Sequence, residues 1–442
     1  MHRSDDSNLV VGTTPAPINH RMPAEWEPHA ATWLAWPHYQ GDWPGKFEPI
    51  PWVYTEIIRN LARHERVELI VNNAAAEKQA RKLLERSNAL LKNIQFHRWP
   101  TNRSWLRDSG CIFVEQGSDD LRSSEVIRER AQHRGRAALQ RRVSPSKLHG
   151  ALALAPDREG RDPSASLRAS LSRAVDDSYQ GTASAVPPDD KRKRALAPEG
   201  NLQALTFRFN AWAKYSNHGL DQKIGTLMSQ AARSQQILPQ HNNTRVVLEG
   251  GSIDVNGQGT VLTTEECLLS KIQQRNPTMQ RKDYEKLFAN YLGAPHTIWL
   301  GKGIAGDDTH GHVDDLTRFV RQDTVVTVVE KNRKDINHKP LTDNLRRLKS
   351  ATDQAGKPLN VIELPMPKPV IFEQRRLPAS YANFYIANGV VLVPVFNDAN
   401  DREALNTLSE IFPAREIVPI YSGDLIWGLG TLHCMTQQQP SP

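Results

Sequence analysis

Four short polar stretches of this 442-residue chain, 105–110, 248–251, 311–315 and 428–434, hold side chains able to do covalent and proton-transfer chemistry. They contribute Asp108, Glu249, His312, Asp314 and Cys434: one thiol and one imidazole among three carboxylates. Singly, each has an ordinary explanation. Asp108 beside Arg107 reads as a surface ion pair, Glu249 before Gly250 and Gly251 as a turn carboxylate, and Cys434 as an inert buried thiol. His312 and Asp314 stand two apart, so in an extended strand they face the same way, an arrangement that tunes a general acid or base. The set points to one reaction class. Carboxylates crowded round a thiol raise its pKa and repel a tetrahedral oxyanion, which speaks against acyl transfer. They suit a planar cation with several N–H donors. A guanidinium is such a group: carboxylates grip its N–H edges, its charge favours the thiolate of Cys434, and that thiolate attacks the central carbon. His312 then protonates the departing ammonia and activates water. Gly251 goes with the substrate contacts, because a residue without a Cβ lets backbone pass close to a ligand.

Convergence of these stretches requires equivalent positions in a repeated architecture. An apolar strand, an amphipathic helix and a second apolar strand recur five times. The copies run through 31–37, 53–63 and 67–72; 111–114 with 205–209, 223–232 and 245–248; 252–255 with 260–263, 281–292 and 297–300; 316–320 with 324–329, 341–352 and 360–364; and 382–387 with 390–395, 402–411 and 416–420. Asn256-Gly257 and Asn388-Gly389 mark tight hairpin turns. Alternating strands and helices predict an α/β fold, and repetition predicts pseudo-symmetric modules around an axis, with the polar connections near it at one end.

Charge separates one segment from the rest. The chain carries 56 Lys and Arg against 49 Asp and Glu, a net charge of +7, and residues 121–200 account for +6 of it. That segment holds one aromatic residue, Tyr179, and is rich in Arg, Ala, Ser and Pro, so it is expected to be a disordered or loosely helical insertion interrupting a hairpin. Its basic run at 191–194 reads as a solvated loop end. A scaffold or nucleic-acid-binding protein with a dead core would rest on this segment alone, and it lacks stacking aromatics. The expected organisation is one catalytic domain over 1–442, with a flexible head at 1–19 and the insertion at 117–202.

Other classes lose their warrant. No apolar run is long enough to span a bilayer, and the first residues hold no signal-peptide core. Three scattered cysteines, Cys111, Cys267 and Cys434, fit a reducing, cytoplasmic setting. CxxC, HExxH and phosphate-loop motifs are all missing, so neither a metal nor a cofactor is expected. A metal site on His433 and Cys434 is weak, since adjacent residues rarely serve one tetrahedral ion.

Residues 21–29, 35–37, 104–110, 209–212, 248–257, 263–269, 306–314 and 431–440 resemble, in order, the agmatine deiminases of the guanidine-modifying pentein superfamily. The resemblance covers about 20–115 and 203–440. It implies a five-bladed α/β propeller, with Cys434 as the nucleophile forming a covalent amidino-thioether and His312 as general acid/base. Asp108 and Asp314 would hold the guanidinium, Glu249 would assist His312 or the substrate nitrogens, and Trp105 would pack on the substrate's aliphatic chain. The implied reaction converts agmatine and water to N-carbamoylputrescine and ammonia, a step in polyamine synthesis, without a cofactor. A small cationic guanidine is then the partner, with no membrane or nucleic acid, and self-association is left open. Deimination of free or peptidyl arginine is the alternative, which for free arginine requires a partner for the substrate carboxylate. The chain departs from the family at Cys111, where proline is common after Asp-Ser-Gly, and at the insertion; a small shift of the Asp108 loop is expected from the first.

Overall fold

The computed structural model describes residues 20–116 and 202–441, which fall in one compact unit; the expectations for the head at 1–19 and for the basic insertion lie outside the described residues. Among the described residues, five sheets of three or four strands share one plan: an antiparallel pair, a crossover helix, then a third strand parallel to the second. Three follow the sequence expectation closely. Asp254–Val255 and Thr260–Thr264 lead through helix Arg281–Leu292 to His296–Leu300. Thr317–Arg321 and Thr324–Val329 lead through His338–Lys349 to Asn360–Pro365. Tyr385–Ala387 and Val390–Val395 lead through Asp401–Ile411 to Glu416–Tyr421. Gly257 and Gly389 sit at φ 70° and 76°, as their turns require. Helix Arg281–Leu292 begins in a reciprocal cap between Gln280 and Asp283 and stops at Gly293, φ 65°.

The other two sheets differ from expectation for physical reasons. Ile112–Gln116 and Leu202–Leu205 form the interrupted hairpin, but its parallel third strand is Gln235–Ile237, not 245–248. The apolar run Val246–Leu248 is buried as the lead-in to Glu249, its Val246 and Leu248 packed in one core cluster with Ile112, Val114 and Leu205 and its Val247 bridged to Arg208, beyond the end of strand Leu202–Leu205. The true strand, Gln-Gln-Ile, is too polar for hydrophobicity to reveal. In the remaining sheet, His29–Ala35 pairs in parallel with Arg66–Val71, which pairs with Ile94–Arg98; its antiparallel partner is the C-terminal strand Thr436–Pro440. That strand reads Thr-Gln-Gln-Gln-Pro yet is wholly buried. Two of its three glutamines accept internal hydrogen bonds: Trp33 Nε1 donates to Gln439 Oε1 at 3.0 Å, and Arg107 donates to Gln438 Oε1 at 2.6 Å, while Gln437 Oε1 is buried without a partner.

One carboxylate ties the sheets together. Buried Glu25 accepts from Arg107 at 3.2 Å, from Arg318 at 2.8 Å and from the Ile386 N–H at 2.9 Å, and it meets His433 Nε2 at 2.8 Å. These partners belong to four different segments. Burial acts to raise the Glu25 pKa, but Arg318, His433 and Arg107 outweigh it and hold the carboxyl well below the usual range. Arg107 is therefore an interior cation, not half of a surface pair with Asp108. Glu25→Gln keeps the shape and removes the charge, leaving two buried guanidinium groups short of a partner. A loss of about 3–5 kcal/mol is expected in urea unfolding. A loss below about 1 kcal/mol would show that the hub does not hold the fold.

Candidate active site

Each of the five antiparallel pairs is entered through a short irregular connection, and those connections supply the chemistry. The single-turn helix Leu106–Ser109 presents Asp108 before Ile112–Gln116, and the 3-10 turn Gly250–Ser252 follows Glu249 before Asp254–Val255. The turn Val313–Asp315 carries Asp314, just after His312, and helix Leu432–Met435 carries Cys434 before Thr436–Pro440. The fifth connection, ahead of Tyr385–Ala387, presents Asn383. Leu106–Ser109 packs on both Leu432–Met435 and Gly250–Ser252, which in turn packs on Val313–Asp315. All five acidic, imidazole and thiol side chains named from the sequence are buried here.

His312 is the centre. Its Nδ1 lies 3.9 Å from both Asp108 Oδ2 and Asp314 Oδ1, and its Nε2 lies 3.8 Å from Glu249 Oε2. Burial tends to lower its pKa, but the carboxylate of Asp108, with Cys267 and Glu249, raises it well above the ordinary histidine value. That direction favours the imidazolium. Glu249 is acidified to about 2: burial opposes ionisation, but Arg275, whose Nε donates to Oε1 at 3.0 Å, and His312 prevail. Asp108 has its pKa raised, chiefly by burial. Its Oδ2 accepts from Trp212 Nε1 at 2.8 Å and its Oδ1 from Gly251 N–H at 3.0 Å. Those bonds fix the Asp108 loop, while Cys111 is buried in the apolar core beyond it. Asp314 is pulled below its usual range: burial raises it, but His433, 2.7 Å from Oδ2, lowers it more.

Cys434 faces this cluster, its sulfur 3.8 Å from Asp314 Oδ2 and 3.1 Å from the donating Nδ2 of Asn383. Burial, then Asp314, Asp315 and Asp108, push its thiol well above the ordinary value. The sulfur lies at the end of a cavity of about 160 Å³ that Trp105 and Asp108 also line. Trp105 packs against Trp43, ring centres 5.3 Å apart and planes tilted by 40°, beside the loop 428–430. A Cβ on Gly430 would lie 3.0 Å from both Trp105 and Cys434. Farther out stand Asp42 paired with Arg103, and Asp308 paired with Lys214, Tyr215 and Arg375.

Several residues of the site were not legible as such. Trp212 occupies a loop in which Ala211, Trp212 and Ala213 have φ of 50°, 59° and 54°. Such strain costs about 1–2 kcal/mol per residue and is held by Asn210 Oδ1 accepting from Ala213 N–H, and by the Trp212–Asp108 bond. Asn383, His433 and Glu25 act through tertiary hydrogen bonds that no local spacing encodes. Asn383 has no titratable group, and the fifth connection therefore gave no signal. Cys267 read only as one of three scattered thiols, yet it lies beside Glu249 and His312.

A family model described as Porphyromonas-type peptidyl-arginine deiminase matches residues 21–135 and 186–440. The agmatine deiminase of Ectopseudomonas mendocina is 28% identical over alignments covering 98% of this chain and 99% of that protein. A solved agmatine deiminase of Enterococcus faecalis superposes with TM-score 0.73 at 24% identity, covering 98% of this chain and 100% of the other. A Porphyromonas gingivalis structure provisionally named an arginine deiminase gives TM-score 0.68 at 26% identity, over 96% and 98% of the two chains.

Gly251 tests how tightly this packing is set. A Cβ there would lie 2.5 Å from His312 Nδ1 and 3.0 Å from Asp314 Oδ2, so alanine must push the imidazole aside. Gly251→Ala should fold, by circular dichroism, but displacement of the imidazole by roughly 1 Å should lower kcat about 100-fold. Unchanged kcat would mean that the position of His312 is not critical.

Proposed function

This chain belongs to the Porphyromonas-type peptidyl-arginine deiminase family, and from that premise we propose that it hydrolyses the guanidinium group of agmatine to N-carbamoylputrescine and ammonia. The observation that carries this reading is the buried meeting of Cys434 with Asp108, Asp314, Glu249 and His312. We read the fold as five blades about an axis, forming one catalytic domain over 1–442 with the segment 117–202 carried in a hairpin. The five equivalent sheets and their five contributing connections support this.

The guanidinium binds between Asp108 and Asp314, with Trp105 along its methylene chain. Its charge answers the carboxylates that otherwise hold the Cys434 thiol protonated, so the substrate itself lowers that pKa and the thiol proton leaves to solvent. The thiolate adds to the central carbon. His312, resting as imidazolium, protonates one amino group, which leaves as ammonia, and a thiouronium remains on the sulfur. Neutral His312 then takes a proton from water as the hydroxide adds. Collapse expels the thiolate, which regains a proton from the adduct's hydroxyl to restore the resting thiol, and yields the substituted urea. Glu249, anchored by Arg275, keeps His312 basic enough for both transfers. Three free, buried thiols suit a cytoplasmic setting, and no helix among the described residues is long and apolar enough to cross a membrane.

One observation favours the arginine alternative: Arg103 and Arg375 line the outer cavity, where a substrate carboxylate would find a cation. Asp42, paired with Arg103, and Asp308, paired with Lys214 and Arg375, line the same cavity and are the carboxylates an ammonium would meet there. Product analysis with both substrates decides it. Exclusive citrulline formation sinks the agmatine reading. Cys434→Ser should release ammonia from agmatine at less than about one-thousandth of the intact rate.

The raised thiol gives a pH prediction. Because burial and the carboxylates stabilise the protonated form, iodoacetamide should label Cys434 slowly at neutral pH, its rate still climbing above the ordinary thiol value of about 8.5. A cationic chloroacetamidine, which fills the guanidinium site, should label at pH 7 at least about tenfold faster than iodoacetamide, each rate taken relative to a free thiol. An iodoacetamide profile that levels off below neutrality would contradict substrate-assisted ionisation.

A further inference from the structure

A second buried thiol stands behind the imidazole, and the mechanism does not use it. Cys267 lies on the short helix Glu265–Leu269, its amide donating to Thr264 Oγ1 at 3.1 Å. One donor atom each from Cys267, Glu249 and His312 all fall within 4.8 Å of one another. Two of these three groups hold unused capacity. Glu249 Oε2 and both ring nitrogens of His312 are buried without a hydrogen-bond partner, while Arg275 occupies only Oε1 of Glu249. An imidazole nitrogen, a carboxylate oxygen and a sulfur converging in a dry site form a donor set suited to a borderline-soft divalent ion.

The dimensions agree. Bonds of about 2.0–2.3 Å to a tetrahedral zinc put its donors about 3.4–3.6 Å apart. His312 Nε2 and Glu249 Oε2 are 3.8 Å apart, so that pair must close by only a few tenths of an ångström. Asp108 and Asp314, on the far side of the same imidazole, favour a cation, whereas Arg275, paired with Glu249, opposes it.

We propose that Glu249, Cys267 and His312 form an inhibitory site for a zinc-class divalent ion, with water in its fourth position. Binding releases two protons to solvent, one from the Cys267 thiol and one from the His312 imidazolium. The ion then occupies the Nε2 lone pair, so that nitrogen can neither give nor accept a proton. The inhibition rests on the reading of His312 as acid and base; the binding does not.

Cobalt(II) titration of the reduced, metal-free full chain tests the binding directly. A sulfur-to-cobalt charge-transfer band should saturate at one equivalent in the intact protein and in Cys434→Ser, be lost in Cys267→Ser, and be displaced by zinc. The proposal is overturned if the intact protein gives no band. It is also overturned if the band survives in Cys267→Ser and vanishes in Cys434→Ser, which would move the ion to the neighbouring cluster of Asp314, Asp315 and Cys434. Zinc-edge anomalous diffraction from the intact protein needs no variant to fold. A peak within bonding distance of all three donors supports the site, and a peak elsewhere, or none, rejects it. Ammonia release should be lost at saturating zinc and restored by EDTA. Cobalt binding without such inhibition would reject the inhibitory role, locating the failure in the reading of His312 and not in the ligand set.

Discussion

The Glu25 carboxylate is the constraint on which the rest of this structure depends. Isolated in a protein interior, an ionised carboxylate is prohibitively costly; it persists here because Arg107, Arg318, His433 and a backbone amide all point at it. Those partners come from the connection carrying Asp108, a strand of the fourth repeated unit, the segment preceding Cys434, and the hairpin of the fifth unit. A single ion therefore sets the mutual positions of elements that share no covalent proximity. His433 carries that constraint to the chemistry: one ring nitrogen faces Glu25 and the other faces Asp314, which lies beside Cys434.

The site follows the same electrostatic logic with one term left open. Each acid has a dedicated counterpart: Arg275 for Glu249, His433 for Asp314, and the Trp212 and Gly251 donors for Asp108. His312 remains the shared cation, without a close hydrogen bond to any of them. Low dielectric magnifies each charge, so a planar substrate cation has a large effect on the thiol it approaches. The narrow, tryptophan-walled cavity then restricts which cations reach that point.

Much of this was legible in the residues. Asn-Gly turns, a capped helix ending in glycine and alternating apolar runs are local signals, and three of the five units follow them to within a few residues. Where the signal failed, tertiary contact had overridden polarity. The strand Gln235–Ile237 forms on a sheet edge despite two glutamines, and Thr436–Pro440 is buried with indole and guanidinium donors serving Gln439 and Gln438. In the second unit the most apolar run instead lines the approach to Glu249.

By itself the sequence determined the reacting groups, since a thiol, an imidazole and three carboxylates in short glycine-bearing connections admit few chemistries. It also determined the α/β repeat, because hydrophobic period and turn residues are properties of neighbouring positions. Only the tertiary structure decided which partners ionise those groups. Glu25, His433, Asn383 and Arg275 act across large separations in the chain, and Cys267 gains significance only from the imidazole folded against it. The sign of a pKa shift in a buried site depends on what is within a few ångströms in space, and that distance is set by packing, not by spacing along the chain.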